Sequence, residues 1–99
     1  IVAQIGRRLR LPDEGIKNLE HAAALHDLGK ITIPYAISYK SKKLTKAEYK
    51  RIKRHPQIGA EIIKPVRSFG GVIHIILSHH ERFDGLGYSA GLKGKEIPF

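Results

Sequence analysis

The apolar residues of this chain recur at three- and four-residue steps and nowhere alternate cleanly with period two, which confines the fold to helices. Two of the apolar stripes end in an imidazole. Ile16, Leu19, Ala23 and His26 share one face of a helix predicted over about residues 13 to 28, and Val72, Ile75, Ile76 and His79 share one face of another over about 66 to 80. Each imidazole has a second donor beside it, since Asp27 follows His26 and His80 follows His79. Adjacent helical positions point about 100° apart, so a doublet suits two neighbouring ions, or one ion and a bridging position, better than chelation of a single ion. His55, at the junction of two shorter helices, is a third source. No cysteine is present, which excludes disulfides, thiolate zinc sites and cysteine nucleophiles and leaves an all-N/O donor set. That set suits iron, manganese, zinc or nickel better than calcium or copper(I). One histidine on an apolar face is more often a hydrogen-bonded core residue than a ligand; it is the joint placement of these that points to metal. His21 and His74 share no face with the doublets and read as ordinary, partly exposed residues.

At 99 residues and 41% apolar content, the chain reads as one all-α domain over residues 1–99. A chain of this size buries roughly 60 to 65% of its unfolded surface, so metal, partner or further chain is expected to contribute to stability. The run Val72 to Leu77 is interrupted by His74 and falls far short of the ~20 residues of a membrane span; with no signal peptide visible, a soluble cytoplasmic protein is expected. Ile1 to Leu9 reads as a helix end closed by Leu11-Pro12, and Pro12 as the first helical position ahead of Asp13 and Glu14. Gly29 is predicted to cap that second helix at its C-terminus. Thr45 and Glu48 have the form of a capping box opening a helix over about 46 to 54, Pro56 suits the start of the next, and Pro65 ends it. Gly70-Gly71 should weaken the helix over 66 to 80. From Asp84 onward, Gly85, Gly87, Gly91 and Gly94 predict a loop able to approach a ligand closely. Because the periodic pattern is already under way at Ile1 and a Pro precedes Phe99, a fragment lacking flanking helices is expected.

These residues carry a family resemblance over about residues 11 to 98. His26-Asp27-Leu28-Gly29-Lys30 resembles the HDxGK signature of the HD-domain metal-dependent phosphohydrolases, and His79 to Tyr88, HHERFDGLGY, resembles the HHExxDGxGYP signature of their HD-GYP branch. Lys43-Leu44-Thr45 and His55-Pro56-Gln57-Ile58-Gly59-Ala60 are similar to the KLT and HPxxGAEIL stretches between them. Ser89 stands where the motif has Pro. The resemblance implies a compact helical HD-type domain holding two or three divalent ions, iron or manganese. It implies a phosphodiesterase that opens cyclic di-GMP to pGpG, GMP or both in bacterial signalling. Carried over by position, His26, Asp27, His55, His79 and His80 are metal ligands, with Asp27 bridging. Lys30 contacts the scissile phosphate, and Asp84, Gly85, Gly87 and Tyr88 border the substrate pocket. The nucleophile is then a hydroxide bridging two metals, with Lys30 adding positive charge against the phosphoryl oxygens. The resemblance also implies a His on a helix before Ile1, an Asp on a helix after Phe99, and a regulatory domain elsewhere in the parent chain.

Of the 18 basic residues behind the formal charge of +9, eight lie between Lys40 and Arg54: Lys40, Lys42, Lys43, Lys46, Lys50, Arg51, Lys53 and Arg54. The segment reads first as a solvated helix face and second as a device that steers an anionic dinucleotide. With only Tyr39 and Tyr49 interleaved, no stable nucleic-acid partner is expected. Two alternatives stand beside the hydrolase: a catalytically weak sensor or interaction module, suggested by Ser89 and the absent flanking ligands, and a phosphohydrolase acting on another cyclic dinucleotide.

Overall fold

Helices alone build the chain in the computed structural model, which describes residues 1–99. They are α1 (Val2–Arg8), α2 (Asp13–Leu25), α3 (Tyr35–Ser38), α4 (Lys46–Ile52), α5 (His55–Ile63) and α6 (Gly70–Ser78), with 3-10 helices at Leu28–Thr32, Arg67–Phe69 and Gly94–Glu96. The predicted capping box opens α4: Thr45 Oγ1 accepts the Glu48 N–H at 3.2 Å, and Glu48 Oε2 accepts the Thr45 N–H at 2.7 Å. The same carboxylate pairs with Lys40 Nζ at 2.7 Å, tying the preceding loop to the helix.

Helix α2 packs on α1 and α6, and α5 packs on α6 and on the 3-10 helix Leu28–Thr32. Ala22, Ala60, Ile63, Val72 and Ile76 form the core, with Leu25, Leu28 and Phe69 packed around it. Only 12 of the 99 residues are buried, so each large apolar side chain matters; full burial of Val72 or Ile76 contributes about 1.5 to 3 kcal/mol. The three helices that supply this core also bring the candidate ligands together. Asp27 lies just past the C-terminal end of α2, His55 opens α5, and His79 follows α6.

Several boundaries differ from the periodicity. Helix α2 stops at Leu25, and after His26 the chain tightens into the 3-10 helix, so Gly29 lies inside that element and caps nothing. The cause is proximity. A Cβ on Gly29 would overlap the carbonyl oxygen of His55 and stand 2.7 Å from the Gly59 nitrogen, so only glycine lets this turn lie against α5. The buried stripe of α2 runs through Ala22, not Ala23, which is exposed. Helix α6 begins at Gly70, after the 3-10 turn Arg67–Phe69, so its two glycines occupy the first turn where little helix is left to weaken. Pro12 is the residue before α2, Pro56 the second residue of α5, and α4 ends at Ile52. The stripe of α1 stays half open, with Ile5 and Leu9 exposed. No helix is long and apolar enough to cross a membrane.

Candidate metal centre

Four donor groups converge where α2, α5 and α6 meet. One ligand atom from each of Asp27, His55, His79 and His80 lies within 4.8 Å of the other three. Local backbone chemistry aims the imidazoles. His55 Nδ1 lies 2.7 Å from the Ile52 carbonyl, His79 Nδ1 2.6 Å from that of Ile76, and His26 Nδ1 2.9 Å from that of Ala23. A carbonyl only accepts, so Nδ1 carries the proton in each ring and Nε2 of the neutral imidazole is a lone pair. This is the arrangement by which outer-shell carbonyls orient histidine ligands.

The Nε2 atoms of His55 and His79 then face each other at 3.2 Å with no proton between them in the neutral state. Two lone pairs at that distance repel unless a cation lies between. Two nitrogens bound to one ion at roughly 2.0 to 2.1 Å stand about as far apart. His80 Nε2 is buried with no hydrogen-bond partner, a further unfilled donor aimed into the cluster. Asp27 turns Oδ1 toward His55 Nε2 at 3.4 Å and His79 Nε2 at 4.0 Å, and Oδ2 toward His26 Nε2 at 3.4 Å. The two oxygens thus address two different groups of imidazoles. The donor set therefore fits a divalent metal.

Electrostatics agree with a site that binds cations through neutral imidazoles. Burial, reinforced by the neighbouring His79 and His55, pushes His80 down to about 4, and burial likewise lowers His79. For Asp27, burial works to raise the carboxyl. The hydrogen bond from Lys30 and the charges of His26, Lys30 and His55 outweigh it, so the group stays below its usual range.

The structure brings His55, His79, His80 and Asp27 into one cluster, with His26 at its edge on the Oδ2 side and its ring 5.1 Å from that of His79. Lys30 reaches the same carboxylate, Nζ to Oδ1 3.0 Å. Tyr88 stacks on His80, ring centroids 4.7 Å apart and planes 20° apart, so the glycine loop does border the centre. Asp84 does not face the metal donors. It pairs with Arg82, accepts the Leu86 N–H at 2.9 Å, and the Arg82 guanidinium holds its carboxyl at about 2; it shapes the loop between Asp84 and Tyr88. Gly85 adopts φ +80°, and a Cβ on Gly87 would run into the backbone of His80, Glu81 and Arg82. His21 packs on Phe69 and His74 is exposed, both apart from the cluster.

Glu81 was not among the residues singled out by sequence. Its Oε1 accepts the N–H groups of Ala90 at 2.6 Å and Gly91 at 3.0 Å, and its Oε2 that of Leu92 at 3.0 Å. One carboxylate beside the doublet thus anchors the far side of the loop that carries Tyr88. The signal available was its place directly after His80 in the second motif.

A family model described as an HD domain matches residues 1–99. The chain is similar to the cyclic di-GMP phosphodiesterase response regulator RpfG of Xanthomonas campestris, 41% identical over 102 residues that cover 99% of this chain and 26% of that protein. A cyclic di-GMP phosphodiesterase of Pseudomonas aeruginosa is 39% identical over 98 residues, 98% of this chain and 24% of that one. The 3'3'-cGAMP-specific phosphodiesterase 3 of Vibrio cholerae is 36% identical over 93 residues, 94% of this chain and 20% of that one. The chain spans about a quarter of the length of the first two of these relatives.

Proposed function

The chain belongs to the HD-domain family, in its HD-GYP branch, and from that premise we propose that it is the catalytic part of a metal-dependent phosphodiesterase hydrolysing cyclic di-GMP in the bacterial cytoplasm. The observation that carries this is the convergence of three imidazoles and a carboxylate, with His55 and His79 turned by the carbonyls of Ile52 and Ile76 so that unprotonated Nε2 atoms face inward.

In this reading His26, Asp27, His55, His79 and His80 would hold the ions, two or three in number and iron or manganese. When bound, they lower the pKa of a coordinated water and neutralise charge growing on the phosphoryl oxygens. The chain's own groups do the rest. Lys30, whose Nζ stands 3.0 Å from Asp27, brings a positive charge to the edge of the centre, where it binds a non-bridging oxygen of the scissile phosphate. Tyr88 covers one face of His80 and keeps water off that side of the ligand. Asp84 and Glu81 hold the loop that carries Gly85, Gly87 and Tyr88, and in this reading that loop borders the substrate pocket. Cleavage of one phosphodiester opens the ring to linear pGpG, and a second cleavage gives GMP. The much greater length of the relatives supports a regulatory domain elsewhere in the parent chain.

Relatives named as 3'3'-cGAMP-specific phosphodiesterases, 36 to 37% identical, favour a second substrate of the same class. The test is to purify the full-length protein without oxygen, load it with iron(II) or manganese(II), and follow cyclic di-GMP and 3'3'-cGAMP by chromatography. Metal-dependent conversion to linear dinucleotide, abolished in Asp27→Asn, is the expected result, and the preferred substrate decides between the two. A protein that binds two or more ions yet leaves both compounds intact overturns the proposal; binding without turnover would make it a sensor.

A further inference from the structure

The centre has a cation on its rim that this mechanism leaves unused. Lys53, half-buried just ahead of α5, places Nζ 4.6 Å from the centroid of the Tyr49 ring and 5.3 Å from that of Tyr88. Tyr88 in turn stacks on His80, so one aromatic ring separates the ammonium from a candidate metal ligand. Lys30, Lys40 and Arg82 each pair with a carboxylate, that of Asp27, Glu48 and Asp84 respectively. Lys53 has no carboxylate within 4.0 Å and donates no hydrogen bond. The two rings fix where its head sits, yet ring faces take up none of its three N–H donors in the directional way an oxyanion would. Tyr49 also lines a cavity of about 380 Å³ with Lys43, Leu44, Thr45 and Lys46. A positive track therefore runs from the centre, past Tyr88 and Lys53, onto the basic face of α4.

A cyclic dinucleotide carries two phosphodiesters, and only one of them can be at the centre during cleavage. We propose that Lys53 binds the other, non-scissile phosphodiester, with Tyr49 holding the ammonium in place for it. This rests on the phosphodiesterase reading and adds to it the residue that distinguishes a cyclic dinucleotide from an ester with a single phosphate. It also gives the basic segment a function at one position.

The experiment compares wild type, Lys53→Met and Lys53→Arg in the full-length, metal-loaded protein. The substrates are cyclic di-GMP and bis(p-nitrophenyl) phosphate, which has one phosphodiester. Losing a charged hydrogen bond to phosphate should raise KM for cyclic di-GMP roughly ten- to hundredfold in Lys53→Met while kcat holds. Turnover of the small ester should be unchanged, and Lys53→Arg should restore most of the affinity. An unchanged KM overturns the proposal. So does an equal fall in kcat on both substrates, which would mean that Lys53 acts only by holding Tyr88 against His80. Calorimetric binding of cyclic di-GMP separates the two levels: a wild type that binds but never cleaves defeats the hydrolase reading, whereas equal binding by wild type and Lys53→Met defeats this one.

Discussion

Gly29→Ala puts the smallest side chain at the tightest point of the fold. In ordinary van der Waals contact a Cβ stands 3.4 Å or more from its neighbours, but at position 29 it would lie 2.7 Å from the Gly59 nitrogen and 2.8 Å from the His55 carbonyl carbon, and would overlap the carbonyl oxygen. Every one of those atoms is backbone, so no rotamer change relieves the clash. Opening 2.7 Å to 3.4 Å parts the 3-10 helix from α5 by about 0.7 Å, and clearing the oxygen takes more. Asp27 is two residues upstream and His55 is the residue struck, so the displacement falls on the Asp27 to His55 pair, now 3.4 Å apart. Metal–ligand distances tolerate about 0.2 Å. The variant is therefore expected to lose metal and to lose about 1 to 3 kcal/mol of stability through overpacking. That corresponds to at least ~4 °C in Tm for a domain of this size. Metal per chain after dialysis and calorimetric melting of the metal-free protein are the assays. Gly59→Ala is the control, because a Cβ there meets Gly29 N at 3.3 Å and Ile76 Cγ2 at 3.7 Å, which small adjustments accommodate. Wild-type metal content and Tm in Gly29→Ala would refute the claim that glycine is required for this crossing.

Three further outcomes follow from the same structure. Glu81→Gln leaves three loop N–H groups with a weaker, neutral acceptor, and amide exchange at Ala90, Gly91 and Leu92 should speed up roughly tenfold; unchanged protection would show that the carboxylate does not anchor the loop. In the metal-free protein His80 titrates at about 4 against 6.5 when unfolded, so the unfolded chain takes up the proton first. Stability should fall as pH drops from about 6.5 toward 4, with nothing further lost from this group below that. Urea unfolding across that window should show a shallower pH slope in His80→Gln than in wild type, and equal slopes would contradict the assignment. Thr45→Ala removes one half of the capping box at α4 and should cost about 1 kcal/mol, seen as a lower Tm.

What the sequence revealed of the centre came from two levels. Helical period alone put His26 and His79 at the ends of apolar stripes, and its place at a helix junction added His55; the structure gathers all three around Asp27. The missed details depend on what lies opposite in space. Ala22, Ala23 and Ala24 are alike in size and polarity, so no stripe could say which of them faces α6. A glycine after a helix suggests a cap, and only the position of α5 shows that Gly29 serves a backbone crossing. Glu81 and Lys53 are charged residues on no periodic face; the partners of Glu81 lie across a loop, and Tyr88, the ring that ties Lys53 to the centre, lies in another segment. The capping box at Thr45 was legible because all of its parts lie within four residues.

Metal content per chain, measured by mass spectrometry on full-length protein purified without oxygen, tests the central claim most directly. Two or three iron or manganese ions in wild type, lost when His79 and His80 are both changed to Ala, is the result predicted here. A wild-type protein that stays metal-free in the presence of these ions would contradict it, because the facing Nε2 atoms of His55 and His79 would then have to be reconciled by protonation alone.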